Sequence, residues 1–332
     1  MMAGKFCLWI WHAAFPKRAA IFCLVLLAPS SPSFAAPDVI LVLGAPGTED
    51  YGDKFDQWAE SWKNACEKGG ASFHLITKAS GNKSPRDLLK ERLVEASKGD
   101  SALWIVLIGH GTFDGRNAKF NLRGPDFSTG DLSGWLDSVD RPVVLVNSAA
   151  ASAPFISALS GGNRVIVTST RSGHEQNFAR FGGYLSRNVG NHEADLDKDG
   201  QTSLLESFLV ASREVADFYK KEGRLATEHP LLDDNGDRLG TPPGWFRGIR
   251  PVRKAKEGVP DGYRAHQFHL VMSDFERSIP EPLRAERDRL ELEVYRLRDR
   301  KEELKEEAYY RQLEVLLRRI GRIYEQPDDG KK

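Results

Sequence analysis

The sequence predicts an α/β fold: a doubly wound, mostly parallel sheet with helices on both faces, followed by a long, coiled-coil-like C-terminal helix. Three observations carry this reading. Short, almost continuous apolar runs occur at 37–45, 103–108, 142–147 and 164–168, the pattern of strands buried on both faces. Between them lie segments whose apolar residues recur every three or four positions, which is helical spacing. Strands alternating with helices call for parallel pairing through right-handed crossovers.

Taken in order, Pro37 to Ala45 reads as the first strand. Phe55, Trp58, Ala59, Trp62, Ala65 and Cys66 then form one helical face, stopped by Gly69-Gly70. Cys66 lies on that face and reads as a packed core thiol. Ala71 to Thr77 is a second strand. Ser84-Pro85 opens a helix carrying Leu88, Leu89, Leu93 and Val94, with serine as cap and proline in the first turn. Leu103 to Ile108 is the third strand and ends in Gly109-His110-Gly111. Leu132, Trp135, Leu136 and Val139 mark a helix capped at Thr129 or Gly130. Pro142 to Asn147 is a fourth strand, Phe155, Ile156 and Leu159 a helix, and Arg164 to Thr168 a fifth strand. A longer helix runs from Ser203 to about Lys221, and residues 229–264, rich in Gly, Pro and Arg, read as loop.

The 332 residues, 40% hydrophobic, are enough for one sizeable core or two small ones. A formal net charge of zero gives no basic field and excludes nucleic acid as an expected partner. The first 36 residues have the pattern of a secretory signal: Lys17-Arg18, an apolar run from Ala19 to Ala28, and the small-residue end Ser33-Phe34-Ala35-Ala36. The expectation is an exported, extracytoplasmic (secreted or periplasmic) protein with no membrane span once the signal is removed, the alternative being retention of the segment as an anchor. Cleavage would take away Lys5, Lys17 and Arg18 and no acid, moving the formal charge to −3. It would also leave Cys66 as the only cysteine, so the stability of the exported chain must come from its core and not from a disulfide.

Residues 281–325 differ from the rest. Glu, Arg, Leu and Lys dominate, and Leu290, Val294, Leu297, Lys301, Leu304 and Ala308 alternate steps of four and three. After a one-residue phase change, Tyr309, Leu313, Leu316, Ile320 and Ile323 do the same. Such spacing is a coiled-coil seam, and one helix across it would be about 60 Å long. Self-association or partner binding through this seam is one expectation; an amphipathic helix folded back on its own domain is the other.

The segment 195–206 has the spacing of an EF-hand calcium loop: Asp195, Asp197, Asp199, Gln201, Ser203 and Glu206 as oxygen ligands, with Gly200 at the turn. With no long incoming helix it reads as a loop-plus-helix half-hand for Ca²⁺, against the simpler reading of a solvated acidic helix cap. Asp233-Asp234-Asn235-Gly236-Asp237 is a weaker candidate and reads as a turn.

A histidine at the C-terminal end of a central strand sits where open α/β sheets place their chemistry. His110 after one buried strand, a small-residue turn after the next, and the loop Thr168-Ser169-Thr170-Arg171-Ser172-Gly173-His174-Glu175 resemble, over residues 38–245, the caspase-like cysteine peptidases, the legumain branch in particular. The resemblance implies a caspase/legumain-like domain over 37–272. It makes His110 the catalytic histidine and Gly111 part of the substrate site. Thr170 and Glu175 fall in the loop that lines the pocket for the substrate side chain. His229-Pro230-Leu231-Leu232 resembles the strand edge that binds substrate backbone. Asn147 and Ser148 match the two residues before the nucleophilic cysteine, and Ala149 falls where that cysteine belongs. Gly52 falls where legumains carry a pocket arginine, so the resemblance does not by itself imply legumain-type asparagine specificity.

Alanine has no attacking atom, and the family's covalent path requires a thiolate. The leading expectation is a non-catalytic pseudo-peptidase that binds peptide or protein and is braced by calcium. The alternatives are an active hydrolase, with Ser148, Ser152 or a His110-activated water as nucleophile, and an assembly protein in which the C-terminal helix does the work.

Overall fold

The computed structural model describes residues 36–99, 101–256 and 258–325; the expected signal segment, apart from its last residue Ala36, lies outside the described residues. The chain runs β1 (Asp38–Leu43), α1 (Glu49–Gly69), β2 (Ser72–Ile76), α2 (Pro85–Glu95) and β3 (Leu103–Ile108). Three short strands follow, β4 (Gly111–Phe113), β5 (Ala118–Phe120) and β6 (Phe127–Ser128), then α3 (Thr129–Leu136), β7 (Val143–Asn147), α4 (Pro154–Leu159) and β8 (Arg164–Thr168). Next come α5 (Phe181–Asn188), α6 (Leu204–Lys221), β9 (Leu231–Asp233), a two-residue pair β10 (Phe246–Arg247) and β11 (Arg250–Pro251), and α7 (Asp274–Ser278), α8 (Glu281–Asp299) and α9 (Glu306–Glu325).

The central sheet has the order β2-β1-β3-β7-β8-β9. All neighbours pair in parallel except β9, which is antiparallel to β8 with Val167 opposite Leu232. Every residue of β3 and β7 is buried, which is why these strands read as unbroken apolar runs. Alternate residues feed two cores. Val39, Leu41, Trp104, Val106, Val144 and Val146 face α1, α5 and α6, with Trp62 and Phe208 in that layer. Ile40, Val42, Ile105, Leu107 and Leu145 face α2, α3 and α4, with Leu89, Leu132 and Phe155. At about 25 cal/mol per Å² of apolar surface, side chains of this size contribute about 1.5–3 kcal/mol each when fully buried.

Local signals explain the ends of elements. Gly70 closes α1 at φ 68°, a left-handed conformation glycine adopts at little cost. Ser84 and Asp87 form a reciprocal capping box at the start of α2. The same device starts α3, but at Ser128 with Asp131, so the cap sits one residue before the expected Thr129. The antiparallel β4-β5-β6 sheet and the α5 helix have no counterpart in the sequence reading. β9 forms inside a region read as loop.

The C-terminal segment is helical as expected, but it breaks once. A 3₁₀ turn at Lys301–Glu303 and extended backbone at Leu304 separate α8 from α9. The two helices fold into a hairpin: Ile279, Leu290 and Ile323 form a small core with Leu283, Leu316 and Ile320, and Arg319 bonds Glu286 at 2.7 Å. The seam is therefore consumed largely within the chain, and the break falls at Lys301, where a charge interrupts it. Among the described residues, no helix is long and apolar enough to cross a membrane.

Candidate functional site

Three strand ends and one sheet edge converge. His110 follows β3 by two residues, and its Nε2 donates to the Pro46 carbonyl at 3.0 Å. A carbonyl only accepts, so Nε2 carries the hydrogen. The imidazole sits among the rings of Tyr51 (5.2 Å between centroids), Phe55 (5.4 Å) and Phe178 (6.3 Å). Tyr51, Phe178, Lys54, Arg180 and Arg187 also line a hollow of about 640 Å³ beside it.

The turn after β7 lies against Gly111, the residue that follows this histidine. A Cβ at Gly111 would strike the Ala150 carbonyl oxygen, so only glycine lets the two strand ends approach this closely. The turn is tightly packed: Ser148, Ala149, Ala150 and Ala151 are all at most 3% exposed. Ala151 holds φ at 53°, and its N–H donates to the Glu175 carbonyl at 2.8 Å. The Asn147 side chain accepts from the Ala149 N–H at 3.1 Å.

Ser148 and Ser152, the alternative nucleophiles that the sequence suggests, are both buried. The Ser148 Oγ is buried without a hydrogen-bond partner, and it lies where a Cβ on Gly182 would be 2.7 Å away, so α5 closes over it. Ser152 is fully buried, and its Oγ accepts from the N–H groups of Ser169 (3.1 Å) and Thr170 (3.2 Å). Thr170 is also fully buried, its hydroxyl accepting from the Ala153 N–H at 3.1 Å. Ser152 and Thr170 thus fasten the turn after β7 to the turn after β8. Thr170 shapes this loop and does not line it.

Glu175 is the acid of the loop after β8. Its Oε1 lies 2.5 Å from the His229 Nδ1, and its Oε2 accepts from the Arg171 N–H at 3.0 Å. Glu175 and His229 are 54 residues apart, each singled out by resemblance alone; the structure joins them in one pair. Beside the pair, Arg171, Glu228, His229, Leu231, Pro242 and Trp245 line an open hollow of about 500 Å³. The outer edge of β9 is not all free: Leu232 exchanges both backbone hydrogen bonds with Thr241 at 3.1 and 2.7 Å. Only the stretch before it remains for an added strand, which shortens the edge the sequence suggested.

The acidic loop 195–206 brings carboxylate oxygens of Asp195, Asp197 and Asp199 within 4.8 Å of one another. Burial pushes the Asp199 carboxyl up, and the charges of Asp197 and Glu206 add to this. Glu206 closes the loop: its Oε1 accepts from the N–H groups of Leu196 (2.7 Å) and Asp197 (3.2 Å), and its Oε2 from the Ser203 N–H and hydroxyl, both at 2.8 Å. The Gln201 amide is turned aside, donating to Asp199 and accepting from the Ser273 N–H at 3.2 Å. His266, absent from the sequence reading, joins Asp197 at 2.9 Å and lies within the same cluster as Glu206.

No protein-family profile matches this sequence. No curated protein matches it. Among solved structures it is similar to the Drosophila initiator caspase Dronc, at 14% identity and a TM-score of 0.42 over 64% of this chain and 85% of that one. Caspase-1 from Spodoptera frugiperda gives 9% identity and 0.39, covering 62% of this chain and 88% of that one. Raptor from Chaetomium thermophilum gives 10% identity and 0.40, covering 86% of this chain and 34% of that one. The likeness is to their folds, at identities too low to speak to activity.

Proposed function

We propose that this chain is an exported, caspase-like pseudo-peptidase that binds peptide or protein without cleaving it, braced by calcium at Asp195–Glu206. One observation supports the loss of catalysis above the rest. The position after Asn147-Ser148 is Ala149, and the neighbouring hydroxyls of Ser148 and Ser152 are buried, one unpartnered and one committed to backbone N–H groups. A serine nucleophile needs a base within hydrogen-bonding reach, and neither hydroxyl is bonded to His110. What supports ligand binding is the Glu175–His229 pair beside a hollow lined by Trp245, Pro242 and Leu231, a mixture of apolar surface and few polar groups that suits a peptide side chain. The legumain likeness, and with it any substrate preference, belongs to this reading and rests on the sequence.

For calcium, the donor chemistry fits a hard cation: Asp195, Asp197 and Asp199 would hold it, while Glu206 fixes the loop to the start of α6. The test of the functional reading is incubation of the full chain with a thiol-directed covalent peptide probe and fluorogenic peptides. No labelling in the cleft and no turnover are expected. Turnover that His110→Ala abolishes would overturn the reading.

A further inference from the structure

The stretch that ends β9 and leads out of it, Asp233-Asp234-Asn235-Gly236-Asp237, is more than a turn. Asp233 and Asp234 are 1% exposed, as is Asp261, which arrives from a separate loop. Two of these carboxylates are satisfied by the protein. Asp234 accepts from the N–H groups of Gly262 (3.0 and 3.1 Å) and Ala265 (2.7 Å). Asp261 accepts from the N–H groups of Asp234 (2.8 Å) and Asn235 (3.0 Å) on one oxygen and from the Thr241 hydroxyl (2.6 Å) on the other. Asp233 is different. Its Oδ1 accepts from the Gly236 N–H at 3.2 Å, but its Oδ2 is buried without any hydrogen-bond partner. The Ser160 hydroxyl is a neighbour of this carboxyl but makes no hydrogen bond to Oδ2.

An orphaned, fully buried carboxylate oxygen is costly. Here it belongs to a group that already points to its partner: carboxylate oxygens of Asp233, Asp237 and Asp261 lie within 4.8 Å of one another. Arg264, whose charge acts on Asp234, directs its guanidinium to the Gly162 carbonyl and the Asn163 side chain.

We propose that Asp233, Asp237 and Asp261 form a calcium site that pins the loop after β9 to the Asp261 loop. The donors are all hard oxygens, which suits calcium, magnesium or manganese rather than a thiolate- or imidazole-seeking metal. They come from two loops separated in sequence, and calcium tolerates irregular, adaptable oxygen cages where magnesium demands a near-ideal octahedron. A bound dication would supply the partner that the buried Asp233 Oδ2 lacks. The consequence is local to the proposed ligand cleft: β9 carries Leu231 and follows His229, so the ion holds one wall of the hollow in place. The site is independent of the Asp195–Glu206 loop.

The experiment is calcium binding and thermal melting of the full chain as wild type, Asp233→Asn, Asp237→Asn and Asp199→Asn. Asp237→Asn keeps an oxygen for the Leu239 N–H that Asp237 Oδ1 now accepts at 2.8 Å, so its fold is preserved even where Asp233→Asn proves too disruptive. Asp237→Asn is expected to lose one bound calcium per chain that Asp199→Asn retains. In chelator, Asp233→Asn should melt at or above wild type, since a buried charge has gone; in millimolar calcium it should melt several degrees below. Stoichiometry and calcium-induced melting shift equal to wild type in both Asp233→Asn and Asp237→Asn would overturn the site. A melting gain reproduced in full by magnesium would overturn its assignment to calcium. An unchanged Asp199→Asn alongside an altered Asp237→Asn would remove only the calcium reading of the 195–206 loop.

Discussion

The Glu175 carboxylate meets the His229 imidazole at 2.5 Å, and the Glu175 carbonyl, on the other side of the same residue, receives the Ala151 N–H at 2.8 Å. One residue therefore ties the sheet edge to the turn that would carry a nucleophile. Glu175→Gln keeps an acceptor oxygen for the His229 and Arg171 N–H groups and should cost the fold about 1 kcal/mol, while weakening peptide binding at the hollow. Urea melts and equilibrium peptide binding on the same samples check this; equal binding by the variant would detach Glu175 from the site.

Two substitutions at the strand ends should move stability in opposite directions. Gly111→Ala drives a Cβ into the Ala150 backbone and should cost about 1–3 kcal/mol, the usual range for overpacking. Ala151→Gly relieves a left-handed φ of 53°, worth about 1–2 kcal/mol, but removes a buried methyl worth about 0.8 kcal/mol, so the net gain should be at most about 1 kcal/mol. Denaturant midpoints measure both.

Cys66 is fully buried on α1, and burial pushes its thiol up to about 12. The thiolate is the reactive form, so the thiol of the folded chain should be inert to disulfide-exchange reagents and become reactive only on unfolding. Rapid reaction of Cys66 in native buffer would contradict its placement in the core.

Asp38 anchors the start of β1. Burial opposes its charge, but the Ser72 hydroxyl and the Arg141 guanidinium, at 2.7 Å, outweigh burial and hold its carboxyl below the usual range. A depressed folded pKa stabilises the fold above the unfolded value of 3.8, and that contribution is lost as pH falls through the lower folded value. Arg141, whose side chain is 2% exposed, keeps its bonds to Ser101 and Ala96 when Asp38 is removed. Asp38→Asn should therefore cost about 2 kcal/mol near neutrality and progressively less as pH falls below 3.8, read from denaturant melts across that range.

The 195–206 loop should bind calcium, and melting with calcium and with chelator checks it for wild type and Asp199→Asn. An ion binding only the folded state stabilises by about 2.7 kcal/mol at a hundredfold excess over Kd. Asp199→Asn should lose most of that gain while leaving the Ser203–Glu206 cap of α6 intact. Identical calcium shifts in the two proteins would remove this loop as a metal site.

What the sequence reveals here is what periodicity can carry. The buried strands β1, β3, β7 and β8 are locally apolar, and the helices between them announce themselves by Trp58, Trp62, Leu89 and Leu132. His110 and Ala149 were legible because they lie at fixed distances from those strands. The pairing of Glu175 with His229 was not, because a contact between residues so far apart depends on β9 returning antiparallel to β8, and three residues of strand leave too short a pattern to read. The same holds for β4 to β6, for His266 beside Asp197, and for Asp261 beside Asp233: each is supplied by a loop whose course local propensity does not determine. The C-terminal heptads read correctly as helix, but the pattern alone did not distinguish a partner in another chain from the hairpin that α8 and α9 make with each other.

Peptide binding without cleavage, the role proposed for the cleft, is tested by exposing the full chain to a defined peptide library, recovering the bound peptides and sequencing bound and unbound fractions by mass spectrometry. A saturable, sequence-biased bound set that Glu175→Gln diminishes is expected, with every peptide recovered intact. Cleaved products that His110→Ala eliminates, or no bound set at all, would contradict it.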